Sequence, residues 1–378
     1  MIPGPIEVSD DVLLANAHPS MAHVSPQFVP VFQEALNMFR DVVGSKRAQP
    51  LIVAGSGTLG WDMVAANVVE AGEEVLVVHT GFFADGFADA ISAYGGKPTQ
   101  VKAPVGSRPS LEQIKAALQS RKFKAITITH VDTSTAVLND VKAIAELVRS
   151  VSPETLIVVD GVCSVASEEL EMDAWDLDVV LTASQKGIGC PPGLSLLAIS
   201  PRALEVFEKR QSPPPTYYAS WTRWLPVMRA YQSGSPAYFG TPPTNLIYAL
   251  HQSLKTILHG PASLAERVQR HKEASDKIKA AVHELGLKQL VNEELQRSNG
   301  DAHTMTAVRY PQGLSAGDIL PKLAARDVVL GAGLRKECKD EYFRIGHMGV
   351  SVMDPKRGDL DKVITALREV LQENGVKN

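Results

Sequence analysis

Between Leu51 and Ile199 the chain alternates short runs rich in Val, Ile and Leu with segments of helical period. This alternation constrains the fold more than any other feature. Strands are expected at Leu51–Ala54, Glu74–His79, Thr99–Lys102, Ala125–Thr129, Thr155–Val159, Val179–Leu181 and Leu194–Ile199. The patterns Leu59–Glu70, Ala84–Tyr94, Leu111–Gln119 and Asp140–Ser150 lie between them at helical spacing. Strands rich in Val and Ile alternating with helices imply an α/β fold, a mostly parallel sheet with helices on both faces.

The flanks are organised differently. The first twenty residues hold several Pro and Gly and read as an extended arm. Ser25-Pro26 opens a helix toward Val43, with Phe28, Val31, Phe32, Ala35, Leu36 and Phe39 at helical spacing. Ser212-Pro213-Pro214-Pro215 leads into an aromatic loop with Tyr217, Tyr218, Trp221 and Trp224. A second loop carries Ala237-Tyr238-Phe239-Gly240-Thr241-Pro242-Pro243. Long helices follow, from Asn245 to about Leu258 and from Ala262 to Leu285. Then come a strand (Thr304–Arg309), a helix (Ala316–Arg326), two strands (Val328–Leu330, Tyr342–Gly346) and a helix (Leu360–Asn374). The expected division is an arm (1–20), a large domain (21–258) and a small α+β domain (259–378).

The net charge of −4 and the lack of a long basic run argue against nucleic-acid and membrane-surface partners. No apolar stretch is long enough to span a bilayer. Cys163, Cys190 and Cys338 are too widely spaced for a disulfide framework or a zinc site, which leaves no metal site to expect and suggests a reducing interior. The start Met1-Ile2-Pro3-Gly4-Pro5 reads as neither a signal nor a transit peptide, and Gly375-Val376-Lys377-Asn378 is not a Ser-Lys-Leu-type peroxisomal signal. The expected setting is intracellular, with cytoplasm, mitochondrion and peroxisome unresolved.

Two of the apolar runs lead into ionisable residues. Thr155–Val159 is followed by Asp160, and Val179–Leu181 by Thr182-Ala183-Ser184-Gln185-Lys186-Gly187. Either residue alone reads as an ordinary turn residue. Together they place an acid and an amine at neighbouring strand ends. Pyridoxal phosphate needs such a pair: a lysine for a Schiff base with its aldehyde and an aspartate for its pyridinium nitrogen. Upstream, Gly55-Ser56-Gly57-Thr58-Leu59-Gly60 matches G-x-G-x-x-G between a strand and a helix. The next strand ends in His79 rather than in the acid a dinucleotide ribose requires. The loop therefore reads as a phosphate cup, with backbone N–H groups at a helix N-terminus and hydroxyls on Ser56 and Thr58.

These residues resemble a known family. Ile2-Pro3-Gly4-Pro5, His23-Val24-Ser25-Pro26, Ala54-Gly55-Ser56-Gly57-Thr58, Thr129-His130-Val131-Asp132-Thr133-Ser134-Thr135, Val159-Asp160-Gly161-Val162, Ser184-Gln185-Lys186, Pro191-Pro192-Gly193, Tyr238-Phe239-Gly240-Thr241-Pro242 and Arg344-Ile345-Gly346-His347-Met348-Gly349 occur in order over nearly the whole chain. They are similar to the alanine–glyoxylate/serine–pyruvate aminotransferases of class V, among fold-type I pyridoxal-phosphate enzymes, and most of all to fungal members. The resemblance implies Lys186 as the Schiff-base lysine and Asp160 as partner of the ring nitrogen. It places Val162 and Phe83 on the two ring faces and Thr133 at the ring oxygen. Ser56, Gly57, Thr58 and Gln185 would hold the phosphate. Tyr238 and Thr241 would reach the phosphate of a neighbouring subunit in a homodimer, and Arg344 would bind the substrate carboxylate. Ala22 stands where relatives often carry Gly, and Thr58 where some animal members carry His.

The implied reaction moves the amino group of alanine or serine to glyoxylate by a ping-pong mechanism. Phe82, Phe83, Tyr238 and Trp61 are candidates to crowd the pocket, although Trp61 reads better as a helix core residue. Arg335, beside Lys336 and Glu337, reads as solvent-facing, which leaves Arg344 as the one carboxylate anchor. Two rivals remain. A cysteine desulfurase-like lyase needs a reactive loop cysteine, and Cys338 reads as a surface thiol, while Cys163 and Cys190 read as packed apolar residues. An NAD-dependent oxidoreductase rests on the glycine loop alone.

Overall fold

The structure, a computed structural model, describes residues 1–376; Lys377 and Asn378, the end of the C-terminal sequence considered above, lie outside the described residues. Its strands in chain order are β1 (Gln49–Ala54), β2 (Glu74–His79), β3 (Lys97–Lys102), β4 (Ala125–Thr129), β5 (Val131–Asp132), β6 (Val137–Leu138), β7 (Leu156–Asp160), β8 (Val179–Ala183), β9 (Leu194–Ile199), β10 (Met305–Arg309), β11 (Gly331–Ala332) and β12 (Tyr342–Gly346). The helices are α1 (Asp10–Asn16), α2 (Phe28–Val42), α3 (Gly57–Val68), α4 (Phe82–Ala93), α5 (Leu111–Ser120), α6 (Val141–Val151), α7 (Pro201–Glu208), α8 (Trp221–Gln232), α9 (Thr244–His259), α10 (Leu264–Glu284), α11 (Glu293–Arg297), α12 (Ala316–Ala324), α13 (Val350–Met353) and α14 (Asp359–Glu373).

Seven strands form the main sheet in the order β1-β9-β8-β7-β4-β2-β3. Every residue of β4, β7, β8 and β9 is buried. That is the outcome continuous apolar runs dictate when helices cover both faces. Pairing is parallel from β3 through β8. Strand β9 runs antiparallel to both β8 and β1. Two reversals cancel, so β1 points the same way as β8. The C-terminal ends of β1, β2, β4, β7 and β8 therefore share one edge, where open α/β sheets bind ligands.

Several helix starts are written in the sequence. Asp140 caps α6 through Ala143 N–H at 3.0 Å. Ser110 with Gln113 and Ser263 with Glu266 form capping boxes on α5 and α10. Beyond α10, β10, β12 and β11 form a three-stranded antiparallel sheet. It is packed by Val308, Phe343 and Ile345 against Ile278 and Val282 of α10, Ile319 of α12 and Leu367 of α14. A third apolar cluster, including Val137, Cys163, Met305, Tyr342 and Met348, fills the seam between the two sheets.

Three expectations are corrected. The arm is not wholly extended: Asp10–Asn16 forms α1, which packs on α9. Seven residues with Leu13 and Leu14 exposed leave no apolar period to read. Trp221 and Trp224 sit on α8 rather than in a loop, both buried one turn apart; the Pro-rich lead-in and Pro226 masked the helix. The strand expected at Val328–Leu330 falls instead at Gly331–Ala332, because pairing with Arg344 and Phe343 sets the register. Tyr342, Phe343, Ile345 and Gly346 are all buried and Arg344 is half-buried, because β12 is the central strand of its sheet.

Candidate active site

Asp160 is the last residue of β7, in register with Thr129 of β4 and Leu181 of β8. Lys186 follows β8 by three residues, at the same edge. The Asp160 carboxylate is buried and held at both oxygens. Oδ1 accepts the Val162 N–H at 3.0 Å, and Oδ2 accepts the Trp61 indole N–H at 2.9 Å. Burial pushes its pKa up to about 6, against the pull of those two donors. An acid so placed gains most from a cationic partner, such as a pyridinium N–H.

The Lys186 side chain is 8% exposed. Its Nζ donates to the Pro3 carbonyl of the N-terminal arm. Burial, then the nearby Arg344 cation, holds the amine below the usual lysine range, which favours the neutral, nucleophilic form. The arm is fixed on either side of this contact. Met1 O accepts the Gly346 N–H at 2.9 Å, and Ile6 N–H donates to Gln185 O at 3.1 Å. Gly4 has φ +107°, and a Cβ there would strike the Lys186 side chain.

The phosphate cup sits at the end of β1. Ser56 is the N-cap of α3 and makes no side-chain cap, so the first-turn N–H groups of Gly57 and Thr58 carry no side-chain acceptor. A Cβ on Gly57 would lie 2.9 Å from Val162 Cγ2, so glycine is what lets the cup close onto the strand that carries Asp160. Phe83 is the second residue of α4, which follows β2, and its ring stands edge-on to Trp61 at 6.3 Å. Its helix start is pinned: Phe82 N–H donates to Ser134 Oγ at 2.9 Å, and Ser134 Oγ donates to Asp132 at 2.6 Å. Thr133, in the same turn, is buried. Its carbonyl accepts from Arg344 at 3.0 Å, and Ala332 O accepts the Arg344 Nε–H at 2.8 Å. Among the described residues the third nitrogen, Nη2, makes no hydrogen bond.

The structure thus brings Ser56, Gly57, Thr58, Phe83, Thr133, Asp160, Val162, Gln185, Lys186 and Arg344 to one edge of the sheet. Tyr238 and Thr241 stand apart. Tyr238 is 65% exposed. The two hydroxyls meet each other at 3.5 Å, and among the described residues neither bonds to the cup. Phe82 is also exposed, at the rim.

Three readings change. Trp61 is buried as expected of a core residue, stacked on Phe87 at 5.7 Å, but its N–H serves Asp160. Nothing in a helical apolar pattern signals that. Arg335 is not solvent-facing: it is 8% exposed and paired with Glu337 at 3.2 Å, because the Tyr342 hydroxyl takes the backbone N–H of Leu334 and Arg335 and draws the loop inward. Cys338, on that loop, is buried rather than at the surface. All three thiols are buried and pushed upward by burial, Cys190 to about 12. A desulfurase needs an exposed, reactive loop thiol, and none of these three is exposed. His79, where a dinucleotide site needs an acid, is buried and bonded to Asp85 at 2.9 Å. Among the described residues no helix is long and apolar enough to cross a membrane.

A sheet of this topology, with a buried amine, a buried acid and an uncapped helix start at one edge, defines a fold-type I pyridoxal-phosphate-dependent transferase. The donor set fits the group: anion-binding N–H groups, an acid for the ring nitrogen and an amine for the aldehyde. The aminotransferase class-V family matches residues 11–345, and the chain belongs to it. Alanine–glyoxylate aminotransferase 1 of Saccharomyces cerevisiae is 42% identical over 93% of this chain and 92% of its own length. An L-aspartate–glyoxylate aminotransferase of Paracoccus denitrificans is 30% identical over 92% of this chain and 85% of its own. The crystal structure of an alanine–glyoxylate aminotransferase from Nostoc sp. superposes with a TM-score of 0.89 at 28% identity, covering 98% of this chain and 94% of that one. The chain is a pyridoxal-phosphate-dependent transaminase acting on amino acids and 2-oxo acids.

Proposed function

We propose that this transaminase moves the amino group of alanine or serine to glyoxylate, yielding pyruvate or hydroxypyruvate and glycine. The observation that carries the proposal is Arg344, a guanidinium anchored by two carbonyls beside the buried Lys186 amine. The name of the yeast relative supports glyoxylate as acceptor.

When bound, pyridoxal phosphate supplies an aldehyde for amine exchange and a ring that withdraws electrons from the substrate α-carbon. The remaining work belongs to the chain. Ser56, Gly57, Thr58 and Gln185 hold the phosphate with N–H, hydroxyl and amide donors. Val162 and Phe83 would pack on the ring faces, and Thr133 would serve the ring oxygen. Asp160, its own oxygens fixed by Val162 N–H and Trp61 Nε1, would keep the proton on the ring nitrogen. Arg344 grips the substrate carboxylate with a planar fork that a lysine could not imitate. Lys186 Nζ would act as general base toward the substrate α-carbon and as general acid toward the carbon on the far side of the amine nitrogen. Exposed and unbonded to their own cup, Tyr238 and Thr241 suit donation to the phosphate of the other protomer in a homodimer. The division into an arm (1–20), a large domain (21–258) and a small domain (259–378) belongs to the same proposal.

The donor side chain decides the test. A distal carboxylate buried without a partner costs several kcal/mol. Arg335 is the nearest candidate partner in sequence, and its guanidinium is paired with Glu337. Alanine and serine should exceed aspartate and glutamate in kcat/KM by orders of magnitude, with glyoxylate preferred to 2-oxoglutarate. A dicarboxylate preference in either half-reaction overturns the reading.

A further inference from the structure

Helix α10 carries four buried polar side chains at four-residue spacing, Arg267, His271, Ser275 and Lys279, on one face. At the upper end, Arg267 donates from Nε to Ala166 O and from a terminal nitrogen to Gly187 O, both at 2.8 Å. Gly187 is the residue after Lys186. A Cβ on Gly187 would strike Ser167 Oγ and Val165 O, so this turn fits only because it has no side chain. One turn along the helix, His271 Nε2 accepts the Gly349 N–H at 3.0 Å and meets Ser167 Oγ at 3.2 Å. Its other nitrogen meets Arg267 O at 2.7 Å. Gly349 follows β12, the strand of Arg344. At the lower end, Ser275 and Lys279 hold Ala302 O at 3.2 and 3.0 Å. Ala302 leads into β10, which pairs Ala307 with Arg344.

One helix face therefore grips the turn that carries the lysine and the strand that carries the carboxylate arginine. We propose that Arg267 and His271 are positioning residues that fix the separation between the Lys186 amine and the Arg344 guanidinium. The donors require one tautomer of His271. Gly349 N–H can only donate, so Nε2 is its acceptor and the proton sits on Nδ1, pointing at Arg267 O. Burial keeps this imidazole neutral. Arg267 meets backbone carbonyls rather than a carboxylate, so its two bonds act on the backbone of residues 166 and 187 and on no other charge.

The proposal rests on the transaminase reading of Lys186 and Arg344, and its test separates the two. The protein loaded with pyridoxal phosphate is titrated with propionate, a carboxylate that carries no amine, and followed by its visible band. His271→Ala should weaken propionate roughly tenfold and raise the KM of the amino donor alike, with kcat within about threefold. His271→Gln, whose amide oxygen can accept the Gly349 N–H, should restore most of that loss. Arg267→Lys keeps a cation but not the two-carbonyl fork. It should shift the pH at which the visible band titrates and lower kcat about tenfold, with propionate affinity near that of the parent. Should His271→Ala fail to fold, Arg267→Lys and His271→Gln still decide the matter, read against their melting temperatures. Propionate affinity unchanged in folded His271→Ala, or an unshifted visible band in Arg267→Lys, overturns the proposal. A parent protein with the visible band but a dicarboxylate preference overturns the substrate assignment alone.

Discussion

Replacing Trp61 with Phe removes one hydrogen atom that matters. The indole N–H reaches Asp160 Oδ2 at 2.9 Å, and among the described residues the other donor on that carboxylate is Val162 N–H. A hydrogen bond to a charged, buried group contributes about 1.5–3 kcal/mol. At 1.36 kcal/mol per unit, its loss raises the carboxyl pKa by roughly one to two units. In the apoprotein the starting value is already about 6, so there the variant acid becomes largely protonated near neutral pH. A protonated Asp160 cannot hold the proton on the ring nitrogen. The assay is the pH dependence of kcat/KM together with cofactor affinity of the apoprotein. The acid limb should move to higher pH, and the apoprotein should bind pyridoxal phosphate roughly tenfold more weakly at pH 7. Trp61 also stacks on Phe87, so lost packing needs a control. Phe87→Leu disturbs the same stack without touching the N–H and should leave the limb in place. An unmoved limb in Trp61→Phe, or an equal shift in Phe87→Leu, would refute the assignment of Trp61 to Asp160.

Borohydride reduction of the loaded protein should fix the cofactor on Lys186, as peptide mapping would read; a label on another lysine ends that assignment, and Lys186→Ala should lose at least ~10²–10⁴-fold in turnover. Asp160→Asn should fold and bind pyridoxal phosphate yet turn over poorly; near-normal kcat would contradict the ion pair. Mixing Lys186→Ala subunits with a Tyr238/Thr241 double mutant should recover some activity, and none would return if the loop serves its own subunit. His271 and His347 are held neutral by burial down to about 3, and His130 to about 4. The unfolded chain takes up these protons near pH 6.5 and the folded chain does not, so their stability is present above pH 6.5 and falls as pH drops toward 4. Urea midpoints at pH 7 and pH 5 should differ accordingly, and equal midpoints would show the imidazoles charge within the fold.

The strands of the main sheet were legible because continuous apolar runs have one stable home, a sheet covered on both faces. Glu74–His79, Ala125–Thr129 and Leu194–Ile199 match the expected bounds residue for residue. Asp160 and Lys186 were legible because a charge that ends such a run has to lie at the sheet edge. The loop before β12 was not. Arg335 and Cys338 sit among Lys336, Glu337 and Lys339, a composition that reads as solvated surface. What buries them is a phenol seven residues from Arg335, and no local pattern encodes that hydrogen bond. The arm was misread for a related reason. Its Pro and Gly describe an extended path correctly but say nothing of the lysine its carbonyl meets.

Strand β1 lies at the edge of the sheet, and β9 is its one neighbour. Ala54, next to the phosphate cup, pairs with Leu194, so the cup cannot take its place beside Lys186 until the chain has been made past β9. During synthesis the anion-binding loop emerges early and waits, unseated, for most of the large sheet to follow. Closure across so long a stretch is slow compared with local pairing. Vitamin capture thus comes late in maturation, and an excess of pyridoxal phosphate can stabilise the finished fold but has no seated cup to bind on a nascent chain shorter than about two hundred residues.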